Sequence, residues 1–186
     1  MEFEEIQASI QSGDVLLFSG NALYSRVIKW WTRSVYSHVG VALKFRVGNT
    51  EYLDVIEAVE GVGVRQYPLE KYLNQGSRID WFSITDDAID RQKVVQWFMD
   101  RRANRYASPQ QLFRSFITVP LAAKFGIPTL VDEDRFFCSF ATAAALRFGG
   151  WVPPIGDSID PELASPGDVS RFVCLQRRGP LNPKGR

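Results

Sequence analysis

Residues 37–45 read SHVGVALKF, residues 51–59 EYLDVIEAV and residues 63–69 GVRQYPL. All three stretches are rich in Val, Ile and Tyr with partial alternation, which suits a pleated surface with one face buried. Gly48-Asn49 and Gly61-Val62-Gly63 separate them and supply turns. The reading is three consecutive antiparallel strands. Upstream, FEEIQASIQS spaces Phe3, Ile6 and Ile10 at helical intervals, and Ser12-Gly13-Asp14 then breaks the pattern before the apolar run at 15–18, giving a short helix and a strand. Asn21 can cap a further helix in which Leu23, Val27, Trp30 and Trp31 share one face. Downstream, Arg78–Ile84 reads as another strand. Residues 86–102 read as an amphipathic helix with Asp86 or Asp87 near its start and Arg101 and Arg102 near its end. Cys138–Phe148 is Ala-rich and runs into Gly149-Gly150, a helix with a glycine stop. Residues 172–176 make a last strand. The expected class is α+β, an antiparallel sheet with helices gathered beside it.

The chain has 186 residues, of which 45% are hydrophobic and 13% aromatic, enough for one sizeable core. One globular domain over 1–178 is expected, with an insertion at about 107–135 and a flexible tail at 179–186, where GPLNPKGR reads as a frayed end. The insertion holds three prolines around LFRSFITVPLAAKFGIPTLV, and reads as a helical insertion or a lid. Twenty-two Lys plus Arg against 21 Asp plus Glu leave a net charge of +1, so no global field points to nucleic acid or an acidic membrane surface. The opening MEFEEIQASIQSGD has acids where a secretory signal needs a basic start. No stretch of about 18 apolar residues occurs, so no transmembrane segment and a cytoplasmic location are expected. Two cysteines and one histidine, none at CxxC spacing, give neither a disulfide framework nor a structural zinc site. No metal and no cofactor are expected, and the sequence is silent on oligomeric state.

Cys138 stands out because it falls at the start of the Ala-rich helix, where unpaired amide donors and the helix dipole favour an anion. The alternative is a cysteine buried in the aromatic surroundings of Phe136, Phe137 and Phe140. His38, the one histidine, opens a strand in which Gly40 leaves room for a substrate or another backbone. Glu57 lies within VIEAV on the neighbouring strand. A carboxylate among apolar residues needs a partner, and the imidazole is the obvious one, unless Glu57 faces solvent. Trp30, Trp31 and the apolar residues around Phe113 to Leu130 either line an acyl groove or belong to the core.

Taken in order, Gly13-Asp14-Val15-Leu16-Leu17-Phe18, Ser37-His38-Val39-Gly40, Ile56-Glu57-Ala58, Tyr106 and Phe137-Cys138-Ser139 resemble the circularly permuted branch of the NlpC-type papain-fold superfamily. YiiX-like proteins exemplify that branch, and the lecithin:retinol acyltransferase-like proteins are related. The resemblance implies a papain-like antiparallel sheet with the nucleophile helix packed beside it, and a histidine strand that precedes this helix. It makes Cys138 the nucleophile, His38 the base and then the acid, and Glu57 the residue that orients His38. Tyr106 would help the Cys138 amide hold the oxyanion, with Ser37, Gly40 and Ser139 around the substrate. The long insertion between Tyr106 and Cys138 departs from the family pattern. The implied function is cleavage of a peptide or N-acyl amide bond through an acyl-enzyme on Cys138. The alternatives are a thioesterase or acyltransferase on lipid-like acyl groups using the same triad, and a catalytically idle papain-fold binding module. The implied partner is a small-molecule, peptide or lipid-like amide or ester.

Overall fold

The computed structural model describes residues 3–20, 29–30, 33–59, 62–102, 138–154, 159–161 and 163–181. Six strands form one antiparallel sheet: β1 (Val15–Ser19), β2 (His38–Val47), β3 (Thr50–Val59), β4 (Gly63–Pro68), β5 (Arg78–Ile84) and β6 (Leu175–Pro180), in the spatial order β4-β3-β2-β1-β5-β6. Five helices accompany it among the described residues: α1 (Phe3–Ser9), α2 (Leu69–Asn74), α3 (Arg91–Met99), α4 (Cys138–Phe148) and α5 (Pro166–Val169). The class is α+β.

The burial pattern follows from the strand period of two. Val15, Leu17, Val39, Val41, Ile56 and Ala58 pack in one core with α3 and α4. Leu16, Phe18, Ala42 and Val55 pack in a second core that includes Ile6 and Ile10, at and just beyond α1, and Leu69 of α2. With a layer on each side, every residue of Val15, Leu16, Leu17 and Phe18 is buried, so β1 reads as a continuous apolar run rather than an alternating one. Asp14 anchors its start. This buried carboxylate accepts from Arg91 Nη1 (2.6 Å), Trp81 Nε1 (2.9 Å) and the backbone amides of Gln11 and Ile84, tying β1 to β5 and α3.

Four readings change. The helix placed at 86–102 runs over Arg91–Met99, because Asp90 caps it through Gln92 and Lys93 while the Asp90 amide donates to Gly149 O at the end of α4. The last strand lies at Leu175–Pro180 rather than 172–176. The tail placed at 179–186 is corrected for its first three residues: Gly179 and Pro180 pair with β5, and Leu181 is fully buried with its amide on Ile79 O. An apolar side chain next to an open sheet edge gains more from burial than from solvent freedom. Helix α2, with the sequence LEKYLN, is an addition to the elements expected from the sequence. Most of the helix placed after Asn21, and all of 107–135, lie outside the described residues, as do 182–186. Trp30 is largely exposed, so it does not belong to the core. Among the described residues no helix is long and apolar enough to cross a membrane.

Candidate active site

Antiparallel register brings His38 and Glu57 together. Val41 pairs with Ile56, so one step along the ladder Gly40 stands opposite Glu57 and His38 is its diagonal neighbour. A Cβ on Gly40 would stand 2.6 Å from Val55 Cγ1, 3.0 Å from Ile56 O and 3.2 Å from Glu57 Cβ. Only glycine therefore lets β3 approach this closely, and the missing side chain leaves Glu57 free to lean across to His38. Glu57 Oε2 lies 2.7 Å from His38 Nε2. Of the two uses expected for the room beside Gly40, a substrate or another backbone, the Cβ direction is taken by the backbone and side chains of β3.

Glu57 is fully buried, and each of its oxygens is engaged. Oε1 accepts from Arg65 Nε at 2.8 Å and from the Tyr72 hydroxyl at 2.5 Å, and Arg65 Nη2 in turn donates to the Tyr72 oxygen at 2.8 Å. Burial works against the charged carboxylate, but His38, Tyr72 and Arg65 outweigh it and hold Glu57 below the usual carboxylate range. Burial and the nearby Glu57 charge push the Tyr72 hydroxyl up, so it stays a proton donor. Sequence reasoning misses both Arg65 and Tyr72. For Arg65 the signal is present: Glu57 and Arg65 are ladder partners, on either side of the Gly61-Val62-Gly63 turn. For Tyr72 it is not, because nothing in the pattern around it marks α2 as a helix that turns toward Glu57.

Cys138 is the first residue of α4 and is half-buried. Burial alone would favour neutral His38, yet the charge of Cys138 and its hydrogen bond to the ring, with the same two contributions from Glu57, push His38 up to about 10. With Nε2 committed to Glu57, Nδ1 is the ring nitrogen that the carboxylate leaves unused. Glu57 and Tyr72 belong to the α2 side of the sheet while α4 packs on the other; His38 stands at the end of β2, where a group from each side can reach it. The Phe18 ring, directly across from His38 on β1, packs on both His38 (5.6 Å between centroids) and Tyr72 (4.9 Å), fixing the two in place.

The other expected residues fall elsewhere. The Ser37 hydroxyl is buried, accepting from Gly20 N (3.1 Å) and facing Phe18 O (3.4 Å); it pins the start of β2 to the end of β1 rather than facing a ligand. Ser139 is buried in the first turn of α4. Tyr106 lies outside the described residues. The second cysteine, Cys174, is buried in the core and pushed up to about 12 by that burial.

Because His38 is more basic here than the 6.5 of a free imidazole, its protonated form favours the folded state. That contribution is complete below about pH 6.5 and is lost as pH rises through about 10. Urea midpoints measured from pH 6 to 10 are expected to fall across this window, and His38→Gln to flatten the fall; an unchanged slope in the variant would show that the proton sits elsewhere.

The molecule at this point is defined as an α+β protein with a six-stranded antiparallel sheet and a Cys-His-Glu cluster at one end of it. No family model and no curated protein matches the chain. Among solved structures it is similar to one described as the metalloprotein YiiX from Escherichia coli O157:H7, with 18% identity, a TM-score of 0.60, and coverage of 90% of this chain and 95% of that chain. The fold is YiiX-like.

Proposed function

We propose that this protein is a cysteine-dependent hydrolase with a papain-like, circularly permuted NlpC-type arrangement, cleaving an amide bond through an acyl-enzyme on Cys138. The observation that carries the reading is the contact between Glu57 Oε2 and His38 Nε2 at 2.7 Å, on a ring whose basicity is raised by Cys138 as well as by Glu57. In the proposed cycle His38 takes the thiol proton and the Cys138 sulfur bonds to the substrate carbonyl carbon. His38⁺ then gives that proton to the departing nitrogen as the C–N bond breaks. A water, deprotonated by His38, releases the acid and restores the thiol. Glu57 accepts the Nε2 hydrogen bond throughout and holds the tautomer that leaves Nδ1 for proton transfer. An apolar acyl part is favoured by the apolar run at 112–131.

YiiX from Escherichia coli O157:H7 is described as a metalloprotein. Among the described residues the donors around His38 do not fit a metal: both Glu57 oxygens are taken by His38, Arg65 and Tyr72, and no three His, Cys, Asp or Glu side chains cluster to hold an ion. No step of the proposed reaction runs through one.

Incubation with N-acyl amino acids, muropeptides and phospholipids, with Cys138→Ala as the blank, tests the reading. Release of the amine or alcohol, together with an acyl mass adduct on Cys138 of the wild-type chain, is expected. Acyl transfer to an added acceptor in place of water would turn the reading to the acyltransferase alternative. Neither turnover nor adduct with any substrate class would favour an idle binding module.

A further inference from the structure

Nothing in a Cys-His-Glu relay requires the far oxygen of the glutamate to be clamped, yet here it is clamped twice. Oε1 of Glu57 receives one bond from Arg65 Nε and one from the Tyr72 hydroxyl, and Arg65 closes the ring of contacts by donating Nη2 to the Tyr72 oxygen. The directions are forced. A guanidinium has no acceptor, so Arg65 must donate to Tyr72, and the phenol proton is thereby left for Glu57. The two clamping side chains are themselves held: Arg65 stacks over the Tyr67 ring at 4.8 Å, and Tyr72 packs edge-on against Tyr67 (5.1 Å) and at a tilt against Phe18 (4.9 Å).

We propose that Arg65 and Tyr72 are positioning residues for His38: by saturating Oε1 they commit Oε2 to His38 Nε2 and keep a fully buried carboxylate ionised while the imidazole gains and loses its other proton. The inference rests on the reading of Cys138, His38 and Glu57 as a proton relay. Charge counting gives it a purpose. With Arg65 present the four groups sum to zero both as thiolate, imidazolium, carboxylate and guanidinium and as thiol, imidazole, carboxylate and guanidinium. Moving the proton between Cys138 and His38 therefore leaves no uncompensated charge in a buried place. Without the clamp, a carboxylate with 0% exposure would lower its energy by taking a proton, and His38 would lose its anionic partner.

The test is the pH profile of Cys138 alkylation, read by mass on wild type, Glu57→Gln, Tyr72→Phe and the double variant, each first shown to be folded. Tyr72→Phe keeps the ring that packs on Phe18 and Tyr67 and removes one hydrogen bond to the anion. The acid limb of its profile is expected to move up by about one pH unit. In the Glu57→Gln background the same substitution is expected to change the profile by less than about twofold, because a residue that acts through Glu57 has nothing left to act on. Arg65→Lys, which keeps the charge, is expected to retain more of the wild-type profile than Arg65→Met, and this pair serves should the Tyr72 variant fold poorly. A Tyr72→Phe profile that overlays wild type, or one that shifts equally with and without the Glu57 carboxylate, overturns the inference while leaving the relay intact. A Glu57→Gln profile identical to wild type overturns the relay and the inference together.

Discussion

Iodoacetamide at neutral pH is expected to alkylate Cys138 at least about 100-fold faster than Cys174, with His38→Ala cutting the Cys138 rate by about tenfold or more. The first difference follows from where the two thiols sit. Cys174 is 2% exposed and is pushed up to about 12 by burial, with the charge of Asp86 adding to the effect. At pH 7 only on the order of one molecule in 10⁵ would carry a Cys174 thiolate, and the reagent must also enter the core to find it. Cys138 opens an eleven-residue helix, is half-buried, and has beside it a histidine that holds its proton up to about pH 10. An imidazolium is therefore on hand as counter-cation across the whole neutral range, and Ala at 38 removes it. Mass spectrometry of quenched time points separates the two sites. Equal labelling of both cysteines, or a Cys138 rate indifferent to His38, would remove the chemical basis of the nucleophile.

The parts of this protein that are legible in the sequence are those set by short-range pattern. Strands β1 to β5 and helix α4 can be placed because their apolar period and their glycine or polar boundaries lie within a dozen residues. Glu57 is legible for a different reason: a carboxylate inside VIEAV has to be paired, and His38 is the available cation. What escapes depends on contacts between segments distant in sequence. Gly40 reads equally as room for a ligand or for a strand, and only the close approach of β3 decides it. The hydroxyl of Ser37 looks free until β1 ends beside it and Gly20 uses it. Tyr72 is an ordinary aromatic in LEKYLN, and its role emerges only once α2 packs under β3. Pairing with β5 carries the chain through Pro180 and the buried Leu181, against a composition of glycine, proline and basic residues that suggests a frayed end.

Replacing Glu57 with Leu is expected to lower stability by about 3 kcal/mol and to abolish His38-dependent reactivity of Cys138, whereas Glu57→Gln should lose nearly as much reactivity for less stability. Leu matches the apolar neighbours Val55, Ile56 and Ala58 but strands three donors at once: the His38 Nε2 proton, the Arg65 Nε proton and the Tyr72 hydroxyl. Arg65 is about one-third exposed and can turn partly to water, so the loss stays at the lower end of what breaking a buried ion pair costs. Gln keeps one oxygen for Arg65 and Tyr72 but turns an NH₂ toward His38, donor against donor, so the ring is no longer held. The pH dependence separates this from simple loss of packing. A carboxylate held below its usual range contributes stability that is present at neutral pH and is lost as pH falls through its lowered value, so the wild-type chain should lose part of its stability in acid along a limb that Glu57→Gln lacks. Urea midpoints between pH 7 and 3 for wild type, Glu57→Gln and Glu57→Leu would show it. Parallel curves for all three would mean that the carboxylate is not charged in the folded protein, and a neutral Glu57 could not hold the imidazolium on which the reactivity of Cys138 depends.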